Sequence, residues 1–198
     1  MNGLEEEQQE KTFEFDPSRF FESFVSVGKE LIMKPQVFFQ NLPSDANLNN
    51  PFIFLVVCAF LSSLFIANIR QGNFTLFFVL LFANTISGFV GSIVLHVFVS
   101  KIFGSKAPFQ LTFRIVAYAS IMDIVSWIPV IGPIAYFYGL YLIFLGLQEV
   151  HQLKPKQAGT ALLSIILIVT VLFLFLLLMA PESINEGMKM MNSEEMQF

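Results

Sequence analysis

Charge is what this sequence has least of: only 13% of its 198 residues are Asp, Glu, Lys or Arg, whereas 55% are hydrophobic. A soluble domain needs a charged surface, so this balance excludes one and places the chain in a bilayer. Cysteine is nearly absent. Cys58 alone excludes an internal disulfide and a thiolate cluster for a metal, and is read as a small packing residue. The 11 basic residues are outnumbered by 15 acidic ones and form no patch, which excludes a nucleic-acid footprint. His96 and His151 are the only histidines and have no i, i+4 relation, so interface roles are expected rather than zinc. No G-x-S-x-G, H-E-x-x-H or glycine-rich phosphate loop occurs. Neither an enzyme nor a cofactor is therefore expected. The acidic start also lacks the basic n-region of a cleavable signal peptide, so the spans themselves are expected to drive insertion.

What is present is organised around Leu111 to His151, a stretch of 41 mostly apolar residues interrupted by Pro129, Gly132 and Pro133. One bilayer crossing needs roughly 20 apolar residues, so this stretch predicts a tight transmembrane hairpin. Trp127 is expected at the interface near its turn. Three further apolar runs complete an all-α, polytopic membrane protein of five transmembrane helices, at about 52–69, 74–99, 111–128, 130–147 and 162–179. Residues 1–16 are read as an acidic, solvated tail, 43–180 as the bundle and 181–198 as a polar C-terminal tail. Ala59, Ser63 and Ala67, then Gly88 and Ser92, and Ser87 and Gly91, make small-residue stripes where helices can approach.

Residues 17–42 are different. Asp16 and Pro17 suit a helix start, Phe20, Phe24, Val27 and Leu31 fall on one face with Phe21, Val25 and Ile32 beside them, and Glu22, Ser26, Lys29 and Glu30 lie opposite. An N-terminal amphipathic helix is predicted, ended by Pro35. It lies either in the headgroup region or on the protein's own cytoplasmic ends.

Five spans put the termini on opposite sides. Eight Lys and Arg residues fall on the N-terminal side and two, Arg70 and Lys189, on the other, which predicts a cytoplasmic N-terminus and an outside C-terminus.

Several motifs in order carry a family resemblance: L-I-M-K-P-Q-V-F-F-Q-N-L over 31–42, R-x-x-A-Y-A-S over 114–120, I-P-V-I-G-P over 128–133, G-L-Q-E-V-H over 146–151 and K-P-K-Q-A over 154–158. The chain resembles prokaryotic Yip1-domain proteins across roughly Leu31 to Met179. The resemblance implies a five-span bundle with a cytoplasmic N-terminus in a prokaryotic plasma (inner) membrane. Eukaryotic relatives bind Rab GTPases, but L-N-N-P at 48–51 replaces their Asp-Leu-Tyr-Gly-Pro motif, which speaks against that role here.

Ionisable groups in a span each need a reason. Arg114 sits near the cytoplasmic end of its span, where it can snorkel to the headgroups or pair with Glu149, with Tyr118 one turn on adding a hydrogen bond. Asp123 is nine residues from Arg114 and points to the opposite helix face, so it is expected to cap the Gly132 turn. Three functions are weighed. The first is a non-enzymatic organiser or adaptor that recruits a protein partner, or self-associates, through its N-terminal segment. The second is a small oligomeric transporter or channel using Arg114, Asp123 and Glu149. The third, an intramembrane hydrolase, has no residue behind it.

Overall fold

The computed structural model describes residues 14–43, 47–70 and 72–179. Among these residues the chain is helical throughout, with α1 (Phe20–Met33), α2 (Pro35–Gln40), α3 (Asn49–Ile69), α4 (Phe74–Ile102), α5 (Phe109–Ala119), α6 (Ile131–His151) and α7 (Pro155–Met179). The C-terminal tail read over 181–198 lies outside the described residues, as does most of the N-terminal one. The tail's last three residues do not behave as a tail. Phe15 is fully buried, and its ring meets Phe20, Phe24 and Phe54 at centroid separations of 5.6, 6.3 and 5.5 Å. A run scored by charge alone misses one phenylalanine that has a socket to fill.

Residues 1–162 form one compact unit; the described part of a second, 163–198, is the continuation of α7 to Met179. Within the first unit α3 packs on α4 and α5, and α5 on α4 and α6. Leu55, Phe113 and Ala117 form one buried cluster of its core. The stripe of Ala59, Ser63 and Ala67 is buried as expected. Gly88 lies against Leu55 and Ser92 is buried, but Gly91 has open space around it, so the Ser87 and Gly91 stripe does not pack.

Among the described residues, four helices are long and apolar enough to cross a membrane: α3, α4, α6 and the Pro155–Leu172 stretch of α7. The segment read as 111–128 is built differently. α5 has only 11 residues and continues as 3-10 helix over Ser120–Val125, before the turn. α4, α6 and α7 run past the expected bounds because apolar composition marks the lipid-facing length, while helical hydrogen bonding extends into the polar flanks. α6 reaches His151, and α7 already starts at Pro155, a proline suited to a first turn.

The hairpin turn is strained at one residue. Val130 has φ 71 and ψ −46, the rare positive-φ γ-turn, closed by the Ile131 N–H donating to the Pro129 carbonyl at 2.9 Å. Gly132 follows because a Cβ there would overlap the Ser126 carbonyl. Pro133 lies in the first turn of α6, where its missing N–H costs nothing.

At the N-terminus, Asp16 caps the 3-10 turn Pro17–Arg19, its Oδ1 accepting from the Ser18 N–H at 2.9 Å and the Ser18 hydroxyl at 2.6 Å. These bonds favour the carboxylate and hold Asp16 below its ordinary range. Lys34, preceding a proline, leaves the helical region and separates α1 from α2.

Candidate functional site

Two ionisable residues of the hairpin bind the N-terminal segment instead of lipid headgroups or each other. Arg114 is fully buried in α5 and does not snorkel. Its Nε donates to Glu14 Oε1 at 3.0 Å, and its two terminal nitrogens donate to the carbonyls of Pro43 and Asn47 at 2.9 Å each. The guanidinium fork suits this task, because it presents several donors in one plane to acceptors in separate strands of chain. Arg114 thus holds both ends of the α1–α2 segment. The expected pairing with Glu149 is not formed. Glu149 accepts from the Gln36 and Gln40 side chains at 2.7 and 2.9 Å, which fastens α2 along α6.

Tyr118, one turn on from Arg114, is also fully buried. Its oxygen accepts from the Phe15 N–H at 3.3 Å, and its ring packs on Phe38 and Phe54 at 5.1 and 5.0 Å. Arg114 supplies the polar grip and Tyr118 the aromatic one. Edge-to-face aromatic pairs add about 0.5–1.5 kcal/mol each beyond area burial, which accounts for several of the chain's phenylalanines gathering here.

α1 is presented by this clamp. Phe24, Val27, Gly28 and Leu31 turn inward, and Gly28 lets the helix approach Ile121 so closely that a Cβ would stand 2.8 Å from its Cδ1. The Tyr138 hydroxyl donates to the carbonyls of Leu31 and Ile32 at 3.1 and 3.0 Å. Tyr138 lies thirteen residues before the end of α6, about 20 Å along the helix, so α1 rests on the flank of the bundle and not on its end. Phe21, Val25 and Ile32 remain exposed on one side, and Glu22 and Ser26 on the side facing away.

Asp123 is exposed and lines a crevice of about 160 Å³ with Asn84, Ser87 and Ser120. It does not cap the Gly132 turn. The Gly132 N–H donates to the Ile128 carbonyl at 2.7 Å, while the Asp123 backbone carbonyl accepts from Ser126. Arg114 is buried and Asp123 exposed, so the two point apart, although the 3-10 geometry from Ser120 changes the rotation between them.

His96 and His151 converge, although nothing in their spacing announces it. Thr112 Oγ1 lies 2.9 Å from His96 Nδ1 and 2.9 Å from His151 Nε2, and the Ser105 hydroxyl lies 2.7 Å from His151 Nδ1. One hydroxyl proton serves two imidazoles, so one histidine must donate to Thr112 while the other accepts. Among the described residues no group of three or more His, Cys, Asp or Glu side chains is placed to hold a metal ion.

Helices of this length and apolarity define a polytopic integral membrane protein. The Yip1 domain family model matches residues 29–178, and the chain belongs to that family. No curated protein and no solved structure matches it.

Proposed function

We propose that the chain is a non-enzymatic membrane organiser or adaptor of the Yip1 type, recruiting a protein partner through the water-facing side of α1. The observation that carries this reading is the way α1 is held: Val27, Gly28 and Leu31 are buried against the bundle while Glu22 and Ser26 stay exposed. A helix pinned at both ends presents its outer face with little ordering entropy left to lose on binding. The topology that goes with it has five crossings, an amphipathic α1 along the flank of the bundle, a cytoplasmic N-terminus and an outside C-terminus, in a prokaryotic plasma membrane. Phe109–Val125 supplies the fifth crossing, since α-helical and 3-10 rises together give roughly 28 Å, close to the hydrocarbon thickness of roughly 30 Å.

The transport reading has less support. Arg114 and Glu149 each have partners in the N-terminal segment, which leaves Asp123 without a connected polar path. The test is crosslinking and affinity recovery of the full-length protein from its native membrane, beside Glu22→Lys/Ser26→Lys. A discrete partner lost from the variant, with insertion and melting temperature unchanged, is the expected result. Equal recovery by both proteins, or recovery of the chain alone, sinks the adaptor reading.

A further inference from the structure

Beneath the exposed side of α1 runs a groove of about 730 Å³, walled by α1, by the 3-10 segment with Ile121 and Val125, and by the first half of α6 with Ile134 and Tyr138. Its lining is apolar except at Lys29, for the Tyr138 hydroxyl is already engaged with backbone carbonyls of α1. A second pocket of about 380 Å³ runs along α1 and mixes polar with apolar surface, lined by Ser26, Lys29, Glu30, Met33 and Lys34. Lys29 and Met33 belong to both. An apolar trough continuous with a small, part-polar chamber is the shape of an amphiphile. Two ammonium groups against the single Glu30 carboxylate leave the chamber one positive charge in excess.

We propose that this pair of cavities holds one anionic glycerophospholipid, its acyl chain in the groove and its phosphate between Lys29 and Lys34. The helical geometry of α1 supports the placement. At 100° per residue Lys29 projects between the Val25 and Ile32 side and the Ser26 side, so its ammonium marks the line where apolar surface gives way to polar. A docked protein helix fits less well. A helix is about 10–12 Å across with its side chains, much wider than an acyl chain. An acyl chain is thin enough to lie along its length. This site meets the outer strip of α1 at Ser26, but its test reads lipid binding and does not depend on any protein partner.

The experiment uses the full-length protein, delipidated in a neutral detergent and titrated with phosphatidylglycerol, phosphatidylethanolamine or phosphatidylcholine, followed by native mass spectrometry and melting temperature. One phosphatidylglycerol per chain is expected to persist and to raise the melting temperature more than the other two lipids. Lys29→Gln/Lys34→Gln should weaken phosphatidylglycerol about 5- to 25-fold, about fivefold for each lysine near an anionic group, and weaken zwitterionic phosphatidylcholine much less, so that the preference between the two is lost. Val25→Trp, at an exposed position that tolerates bulk, should fill the groove and weaken all three lipids. Equal responses of the wild type to the three lipids, or a phosphatidylglycerol preference surviving in the lysine variant, would overturn the proposal. So would a dimer that Val25→Trp dissociates, since the groove would then belong to a second copy.

Discussion

Replacing Arg114 by Gln separates a structural clamp from a snorkelling side chain. In the wild type the guanidinium is fully buried and the side chain of Glu14 is 10% exposed, so their 3.0 Å contact is largely shielded from water. Removing one member of a buried pair costs about 3–5 kcal/mol, because the other charge is left uncompensated. The Pro43 and Asn47 carbonyls lose donors as well, at about 1.5–3 kcal/mol for each hydrogen bond to a charged group. These losses share one side chain and do not add fully. The expected total is therefore about 3–5 kcal/mol, whereas an exposed headgroup contact is worth about 0–1 kcal/mol. The assay is chemical unfolding in detergent followed by Trp127 fluorescence, with limited proteolysis of residues 14–47 in parallel. Glu14→Gln and the double variant complete a cycle, in which coupling of about 0.5–3 kcal/mol is expected. A loss below about 1 kcal/mol, with the segment still protected, refutes the clamp.

Further predictions rest on single contacts. Thr112→Val keeps the shape but removes the hydroxyl between His96 and His151, and should cost about 1–3 kcal/mol, with Thr112→Ser restoring most of it; equal melting of all three proteins would show the network to be idle. Val130→Gly should raise stability by about 1–3 kcal/mol by releasing the positive-φ strain, and Gly132→Ala should lower it by forcing the Ser126 carbonyl away; opposite signs would mean the turn is drawn wrongly. Asp16 has a folded pKa below its ordinary value of 3.8, so its cap is fully formed above that value and is lost as pH falls through the lower one. Exchange of the Ser18 amide should rise over that acid range in the wild type and stay level in Asp16→Asn.

The helix boundaries set by proline were legible in the sequence. Asp16 and Pro17 begin a turn, Pro35 divides α1 from α2, and Gly132 with Pro133 opens α6, because each acts through local backbone geometry. The candidate residues were legible as a set and not as partners. Arg114, Tyr118 and Glu149 all bind the N-terminal segment, yet Glu14, Phe15, Gln36 and Gln40 carry no periodicity or spacing that points to them. A contact between residues 100 positions apart depends on how helices pack, which local pattern does not encode. The 3-10 stretch after Ala119 was missed for a related reason. Ser120 to Val125 hold no glycine or proline to mark a change of winding, and α1 closing over Ile121 accompanies it. The burial of Phe15 also alters how the N-terminus can be probed, since deleting residues 1–41 would strip Arg114 and Tyr118 of their partners along with any contact surface. Substitution on the outer face of α1 leaves the clamp intact.

The same clamp imposes an order on biogenesis. Glu14 leaves the ribosome 100 residues ahead of Arg114, an interval of about 5–20 s at about 5–20 residues per second. Throughout that interval α1 and α2 have no seat, because α5 and α6 have yet to be made. Any factor that reads the bare apolar face of α1 has access only to the nascent chain, and packing of the hairpin closes that window.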